Sequence, residues 1–169
     1  TPSAIACEGD MIWVFTYTDC EGNSHAWTYT YVIDMPAFSV PVDGASIVNC
    51  LVDAQVQPTP PVVSDACGTV LTPVVTAPAD IACAGDMVWL FTYTDCASNV
   101  VEWRYTYTID IPDFSVPADD GMTVSCPADA VQPVPPVVND ACGNAITPVV
   151  TATPSAIACE GDMIWVFTY

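Results

Sequence analysis

Basic residues are almost absent from the sequence. The 169 residues contain no lysine, one arginine (Arg104) and one histidine (His25), against 20 acidic residues, which gives a net charge of −19. A nucleic-acid-binding protein needs a basic surface to neutralise phosphates, so the charge argues against nucleic acid as a partner. An anionic membrane surface would also repel the chain. The acidity itself favours solubility and resistance to self-association.

Long apolar runs are missing too, although 52% of the residues are hydrophobic. No run approaches the roughly 20 residues that span a bilayer, so we expect no membrane insertion in this segment. The sequence has neither a signal peptide nor an anchor, as expected of an internal segment of a longer protein. The hydrophobic fraction predicts a packed core rather than disorder.

One stretch, residues 87–109, alternates between two kinds of side chain. Its aromatic residues share one face and its threonines and charged residues share the other, with a polar turn at Asp95–Asn99 between the two arms. Period-two alternation rich in aromatic residues and threonine is typical of half-buried antiparallel strands. We therefore predict a β-hairpin whose core face carries Trp89, Phe91, Tyr93, Trp103, Tyr105, Tyr107 and Ile109.

The hairpin sequence recurs along the chain. It is present at residues 11–33 and begins again at Met163, and residues 1–17 are identical to residues 153–169. Cys7, Cys83 and Cys159 are each 76 residues apart. Self-similarity at a fixed period indicates an array of like units. We expect the sequence to be a window of a longer repetitive protein.

The recurrence divides the chain into three parts. Residues 1–35 are predicted to be the C-terminal hairpin of a preceding repeat, residues 36–111 a complete repeat, and residues 112–169 the next repeat, truncated before its last strand. Within the complete repeat, short strands are expected over residues 46–50, 55–63 and 69–76, with no helix, because proline and β-branched residues are frequent. The predicted fold is all-β, a tandem series of small immunoglobulin-like β-sandwiches.

Cysteine is abundant, with nine residues that fall as four per repeat. No pair has CxxC spacing and histidine occurs once, which argues against a zinc or redox site. Regular, widely spaced cysteines predict disulfides formed in an oxidising, extracellular compartment. A unit of this size has a marginal core and benefits from such cross-links.

Strand geometry limits which cysteines can bond. Cys83 and Cys96 flank a strand and should lie roughly 30 Å apart, whereas a disulfide needs Cα atoms within about 7 Å. Cys67 and Cys83 also flank a strand. Pairing within a repeat then leaves Cys50 with Cys83 and Cys67 with Cys96. The full prediction is Cys50–Cys83, Cys67–Cys96 and Cys126–Cys159, with partners outside the segment for Cys7, Cys20 and Cys142.

Three motifs resemble a known family. The stretch FTYTDCASN at residues 91–99, the opening CPAD at residues 126–129 and the turn DACG at residues 140–143 resemble hyalin-repeat (HYR) domains. The four-cysteine pattern resembles the HYR-like repeats of giant cell-surface adhesins of Bacteroidota, including gliding bacteria. The resemblance implies an immunoglobulin-like fold and an extracellular adhesive or stalk role. Leu51 replaces the proline found at Pro127, and Ser98 replaces the usual glycine.

The sequence offers no catalytic constellation. His25 is replaced by Val101 in the next repeat, and no base is placed to activate a serine or threonine. Asp119 and Asp120 form a carboxylate pair, but they precede Gly121 in a predicted turn. We therefore expect no enzymatic activity.

Calcium is the one cofactor that the sequence suggests, at the boundary between repeats. The candidate ligands are Asp110, Asp113, Asp119 and Asp120, since calcium takes about six to eight oxygens. The corresponding earlier boundary has only Asp34 and Asp43, because Ala37 stands where Asp113 would be. This irregularity argues against an obligatory metal at every boundary.

The sequence therefore favours a structural and adhesive repeat of a long extracellular filament or cell-surface adhesin. Its partners would be the neighbouring repeats, joined head-to-tail through short boundaries such as Ile111–Pro112–Asp113, and an unidentified surface or glycan. The alternative is an extracellular carbohydrate- or calcium-binding module, in which an exposed tryptophan would stack on a sugar ring.

Overall fold

The chain is described by a computed structural model that covers residues 2 and 4–169. The preceding hairpin consists of β1 (Gly9–Thr18) and β2 (Ser24–Ile33). The central unit contains β3 (Gly44–Val48), α1 (Leu51–Ala54), β4 (Val63–Ser64), β5 (Val70–Leu71), β6 (Val74–Thr76), β7 (Gly85–Thr94) and β8 (Val100–Ile109). The following unit contains a 3₁₀ turn (Pro127–Asp129), β9 (Val138–Asn139), β10 (Ala145–Ile146), β11 (Val149–Ala152) and β12 (Val166–Thr168).

The central unit is built on a four-stranded sheet in the order β3-β8-β7-β6. β7 and β8 form the predicted hairpin, antiparallel from Gly85 opposite Ile109 to Thr94 opposite Val100. β3 lies parallel to β8, and β6 lies antiparallel to β7. The hairpin prediction is confirmed, because the alternating sequence fixes which face each side chain occupies.

The aromatic face of this sheet is covered by three segments of the preceding chain, namely the stretch before β3, the end of α1 and the extended stretch before β4. The indole N–H of Trp89 donates to the Ala54 carbonyl at 3.0 Å, and that of Trp103 donates to the Val42 carbonyl at 2.9 Å. The Tyr93 hydroxyl donates to the Pro61 carbonyl at 2.7 Å. Each large aromatic residue thus buries its ring and anchors a segment of the covering layer through its polar atom.

Two adjoining clusters make up the core. The larger consists of Val63, Trp89, Phe91, Tyr93 and Trp103, and the Phe91 and Trp103 ring centroids are 5.3 Å apart. Leu71 of β5 packs against the same cluster, so the β4–β5 ladder lies over the sheet. The smaller cluster consists of Ala54, Met87 and Ile109 at the other end of the hairpin. The unit is an all-β, disulfide-linked repeat, as predicted from the sequence.

The stretch between β3 and β4 differs from expectation. Residues 55–63 were predicted to form a strand, but only Val63 at their end belongs to one, and the short helix α1 precedes them. Pro58, Pro60 and Pro61 have no amide hydrogen to donate to a ladder, so this stretch stays extended without a partner strand. Its role is to cover the core.

The preceding hairpin has the same register as β7 and β8, from Gly9 opposite Ile33 to Thr18 opposite Ser24. Its aromatic residues are exposed, since among the described residues none packs over them as residues 38–63 pack over the central sheet. They line an open trough formed by Trp13, Phe15, Trp27, Tyr29 and Tyr31. The corresponding residues of the central unit are core residues, so the trough is the inner face of a repeat.

Candidate functional site at the joints between units

Four turns with the same hydrogen-bond pattern carry cysteines. They begin at Asp19, Asp65, Asp95 and Asp140, and in each the aspartate accepts hydrogen bonds at 2.8–2.9 Å from the backbone N–H groups two and four residues later. A cysteine follows the aspartate by one or two residues in every case. An aspartate that bonds its own following backbone makes a rigid turn, so each cysteine is held in a defined position.

Hydrogen bonding also sets the ionisation of three of these aspartates. Bonds from the side chain and backbone of Asn23 hold the pKa of Asp19 below its usual value, and Asn144 does the same for the pKa of Asp140. Burial raises the pKa of Asp95, but the bonds from Asn99 and the Ala97 backbone outweigh it and the net shift is downward. The hydrogen bonds at Asp19, Asp95 and Asp140 thus favour the ionised form of each carboxylate.

Ser98 occupies a backbone conformation that favours glycine. Its φ is 68°, and the equivalent positions are Gly22, Gly68 and Gly143, with φ between 83° and 89°. Ser98 therefore adopts the same left-handed conformation as the glycines, and its turn keeps the shape of the other three. The Cβ of serine is sterically strained in this conformation, whereas glycine has no Cβ and avoids the strain.

The cysteines of the central unit lie at two opposite ends of its sheet. We call the end with the Asp95–Asn99 turn the turn end, and the end where Gly85 faces Ile109 the open end. Cys67 and Cys96 lie at the turn end. Cys50 follows β3 and Cys83 precedes β7, which places both at the open end, where they line one cavity. The hairpin of ten-residue strands separates the two ends.

The first joint lies between the preceding hairpin and the turn end of the central unit. Cys7 is bonded to Cys96, with Cα atoms 5.7 Å apart. Met35 lies in the same joint, is buried, and its sulfur is 3.9 Å from the Cys67 sulfur. The Met35 backbone N–H donates to Glu8 at 3.2 Å, so the connecting chain is also tied to the hairpin that it leaves.

The second joint lies between the open end of the central unit and the following unit. Cys50 is bonded to Cys142, with Cα atoms 5.6 Å apart. Ile111, which occupies the place that Met35 has in the first joint, packs against the smaller core cluster. It lines a cavity together with Cys50, Cys83 and Cys142. At both joints an apolar residue of the connecting chain packs near a disulfide, with Met35 buried and Ile111 half-buried.

The observed disulfides correct the predicted pairing. Cys50 and Cys96 were assigned to Cys83 and Cys67, but each bonds a cysteine of a neighbouring unit, and Cys7 and Cys142 thus have partners inside the segment. The structure leaves five cysteines as exposed thiols: Cys20, Cys67, Cys83, Cys126 and Cys159. The predicted Cys126–Cys159 bond is therefore not formed. Strand length predicts correctly at which end of the unit each cysteine lies. However, the open end of one unit meets the turn end of the next. A cysteine can therefore bond across the joint instead of bonding the other cysteine at its own end.

The four calcium candidates all lie exposed in the connecting chain. Asp113 and Asp120 each accept from the backbone N–H of the next residue, at 2.9 and 2.8 Å, and the Asp110 N–H donates to the Val48 carbonyl at 2.9 Å. Asp119 is exposed in the same stretch. Within residues 2 and 4–169, no three His, Cys, Asp or Glu side chains are grouped so as to hold a metal ion.

The remaining polar residues considered from the sequence lie on open strand surfaces. His25 is exposed on β2. Arg104 is exposed on β8, where its guanidinium lies 3.0 Å from the Glu102 carboxylate. Among the described residues no helix has the length and apolar character needed to cross a bilayer. The aspartate turns were missed as functional residues, although the fourfold recurrence of Asp, Cys and a glycine or asparagine was visible in the sequence.

Comparison with known proteins agrees with this architecture. No curated protein matches the chain. A family model described as "HYR-like domain with 4 cysteines" matches residues 1–33, 38–109 and 114–169, which leaves only short connecting segments unmatched. The matched ranges are the preceding hairpin, the central unit and the following unit. The chain therefore belongs to the family of HYR-like domains with four cysteines.

Proposed function

We propose that the chain is a structural and adhesive segment of a long extracellular filament or cell-surface adhesin, of the kind used by Bacteroidota for surface attachment and gliding. HYR-like domains are extracellular repeat modules, and the disulfides suit an oxidising compartment. The observation that carries the proposal is that consecutive units are joined covalently at the first joint through Cys7–Cys96 and at the second through Cys50–Cys142.

Such joints would make the array stiff. The chain passes from β8, which ends at Ile109, into the following unit through a stretch that contains Pro112, with Ile111 covered. Pro112 fixes its own φ and restricts Ile111 to extended conformations. A short apolar connection flanked by a disulfide leaves little room for bending, so the units would project as a rod that carries weak contacts far from the cell. Many weak contacts together give strong attachment through avidity.

The acidic surface supports the same role. A net charge of −19 spread over the segment makes neighbouring filaments repel one another, which keeps long arrays dispersed. We expect neither a resident cofactor nor catalysis from this design.

Small-angle X-ray scattering on arrays of two, four and six 76-residue units tests the proposal. Each added unit should lengthen the maximum dimension by a constant several nanometres, since the strands are ten residues long at about 3.3 Å per residue. The matched control is the same array with Cys50 and its equivalents changed to serine, which should be more flexible. A maximum dimension that rises clearly less than linearly with unit number in the oxidised array would contradict the rod.

The carbohydrate-binding alternative receives no specific support. The exposed aromatic trough of the preceding hairpin is equivalent to the buried core of the central unit, where Trp89 and Trp103 are 7% and 6% exposed. A glycan array probed with a multi-unit array is the discriminating assay. Binding to one sugar class that persists after reduction of the disulfides would favour the module over the filament.

A further inference from the structure

We propose that two disulfides cross every joint in an array of these units, and that Cys83 marks the docking surface for the second one. In the order Cys50, Cys67, Cys83, Cys96, the first cysteine of a unit bonds the second of the next unit. The third bonds the fourth of the next unit. The partner that the Cys83 surface fits is thus the hairpin turn of the next unit, equivalent to the Asp95–Asn99 turn.

The two observed bonds provide one example of each pairing. Cys7 is the third cysteine of its unit and bonds Cys96, the fourth of the next. Cys50 is the first cysteine of its unit and bonds Cys142, the second of the next. The bonds lie at different joints, yet both run from the open end of one unit to the turn end of its successor. Since the units repeat, the disulfide seen at each joint should also be able to form at the other joint.

The five thiols are those that this rule leaves without a partner in the chain. Cys20 and Cys67, as fourth and second cysteines, require partners in an earlier unit. Cys83, Cys126 and Cys159, as third or first cysteines, require partners in a later unit. Pairing within units would instead have joined Cys67 and Cys83 to cysteines of the central unit itself. The distribution of thiols therefore distinguishes the two schemes.

The surroundings of Cys83 fit this assignment. Its thiol is exposed and lines the second joint's cavity together with Cys50, Ile111, Asp140 and Cys142. Cys83 is the equivalent of Cys7, which accepts the Asp95–Asn99 turn at the first joint. In that turn Asp95 is buried and holds the backbone of Ala97 and Asn99, so Cys96 is presented rigidly. The equivalent hairpin turn of the next unit, placed at the second joint in the same way, would hold its cysteine next to Cys83.

Each bond forms by oxidation of two thiols. The pair loses two electrons and two protons to a disulfide oxidant, such as a thiol–disulfide oxidoreductase, whose own disulfide is reduced to two thiols. Each joint then has three covalent connections, namely the backbone and two disulfides. A joint closed in this way cannot open under tension while the disulfides remain.

The chain itself provides the means to test this. Residues 153–169 are identical to residues 1–17, so a copy of residues 18–34 appended after Tyr169 continues the repeat and completes the hairpin of the following unit. The extended chain is refolded with reduced and oxidised glutathione, its thiols are blocked, and its disulfides are mapped by non-reducing peptide mass spectrometry. We expect the cysteine of the added segment to bond Cys83, so that the extended chain keeps four free thiols, one fewer than the 169-residue chain.

The control is the same extension with serine in place of its cysteine, which should leave Cys83 free. In both chains, Cys7–Cys96 and Cys50–Cys142 report that the joints have formed. A bond from the added cysteine to Cys159, the third cysteine of its own unit, would overturn the proposal. So would a bond between Cys83 and Cys50, or a mixture of pairings without a dominant partner for Cys83. These outcomes would leave the extracellular filament role open, since scattering tests that separately.

Discussion

Replacing Ser98 by glycine should stabilise the central unit. Ser98 has a φ of 68°, a left-handed conformation that costs a residue with a Cβ roughly 1–2 kcal/mol. Glycine removes this cost, but it also raises the conformational entropy of the unfolded chain, which lowers the free energy of unfolding by about 0.4–1 kcal/mol. The expected net gain for Ser98→Gly is therefore about 0.5–1 kcal/mol.

The assay is guanidinium unfolding of the oxidised chain followed by tryptophan fluorescence, because Trp89 and Trp103 are buried in the central unit. Ser98→Gly should raise the midpoint with an unchanged slope. The matched control is Gly68→Ser, at the equivalent turn position of the same unit with a φ of 84°, which should lower stability. A Ser98→Gly midpoint equal to or below that of the parent chain would refute the strain argument.

Three further changes test other parts of the account. Gly44→Ala should destabilise by about 1–3 kcal/mol in the same assay, because an added Cβ would overlap the Tyr105 ring, whereas Gly121→Ala should be neutral since nothing lies within 4 Å of its Cβ. The lowered pKa of Asp95 contributes stability that is present above its unfolded value near 3.8 and is lost as pH falls through the lower folded value. An acid titration of Asp95→Asn should therefore show a smaller loss between pH 5 and 2, and an identical loss would contradict this. Cys50→Ser removes a cross-link over 92 residues, worth about 4–5 kcal/mol in the chain-entropy model, so it should lower the melting temperature of the oxidised chain but not of the reduced one.

The local structure was predictable because the sequence repeats a strict alternation. Period-two patterning over residues 87–109 determines both the hairpin and the buried face that includes Trp89, Phe91 and Trp103. The turn at Asp95–Asn99 follows from polar residues between the arms. By contrast, residues 55–63 combine valine with prolines, and strand propensity alone could not show that the prolines leave them without a ladder partner.

The disulfide pairing was not predictable from one unit. Strand length correctly separates Cys83 from Cys96, and it places Cys50 with Cys83 at one end. The sequence carries no signal for what lies against that end, and the decisive contact comes from a neighbouring unit. Both pairing schemes repeat every 76 residues, so periodicity cannot choose between them. The choice is made by the packing of neighbouring units, which brings Cys7 to Cys96 and Cys50 to Cys142.

The calcium sites and the unit boundaries at residues 35–36 and 111–112 stay predictions. Isothermal titration of the oxidised chain with calcium chloride tests the first, and limited proteolysis tests the second.

Disulfide mapping of the 169-residue chain shows whether consecutive units are covalently joined. The chain is expressed with oxidation in the periplasm, alkylated without reduction, digested and analysed by mass spectrometry. We expect the bonds Cys7–Cys96 and Cys50–Cys142, with alkylated Cys20, Cys67, Cys83, Cys126 and Cys159. Bonds Cys50–Cys83 and Cys67–Cys96 would show that each unit closes on itself, and covalent joining of consecutive units would then be wrong.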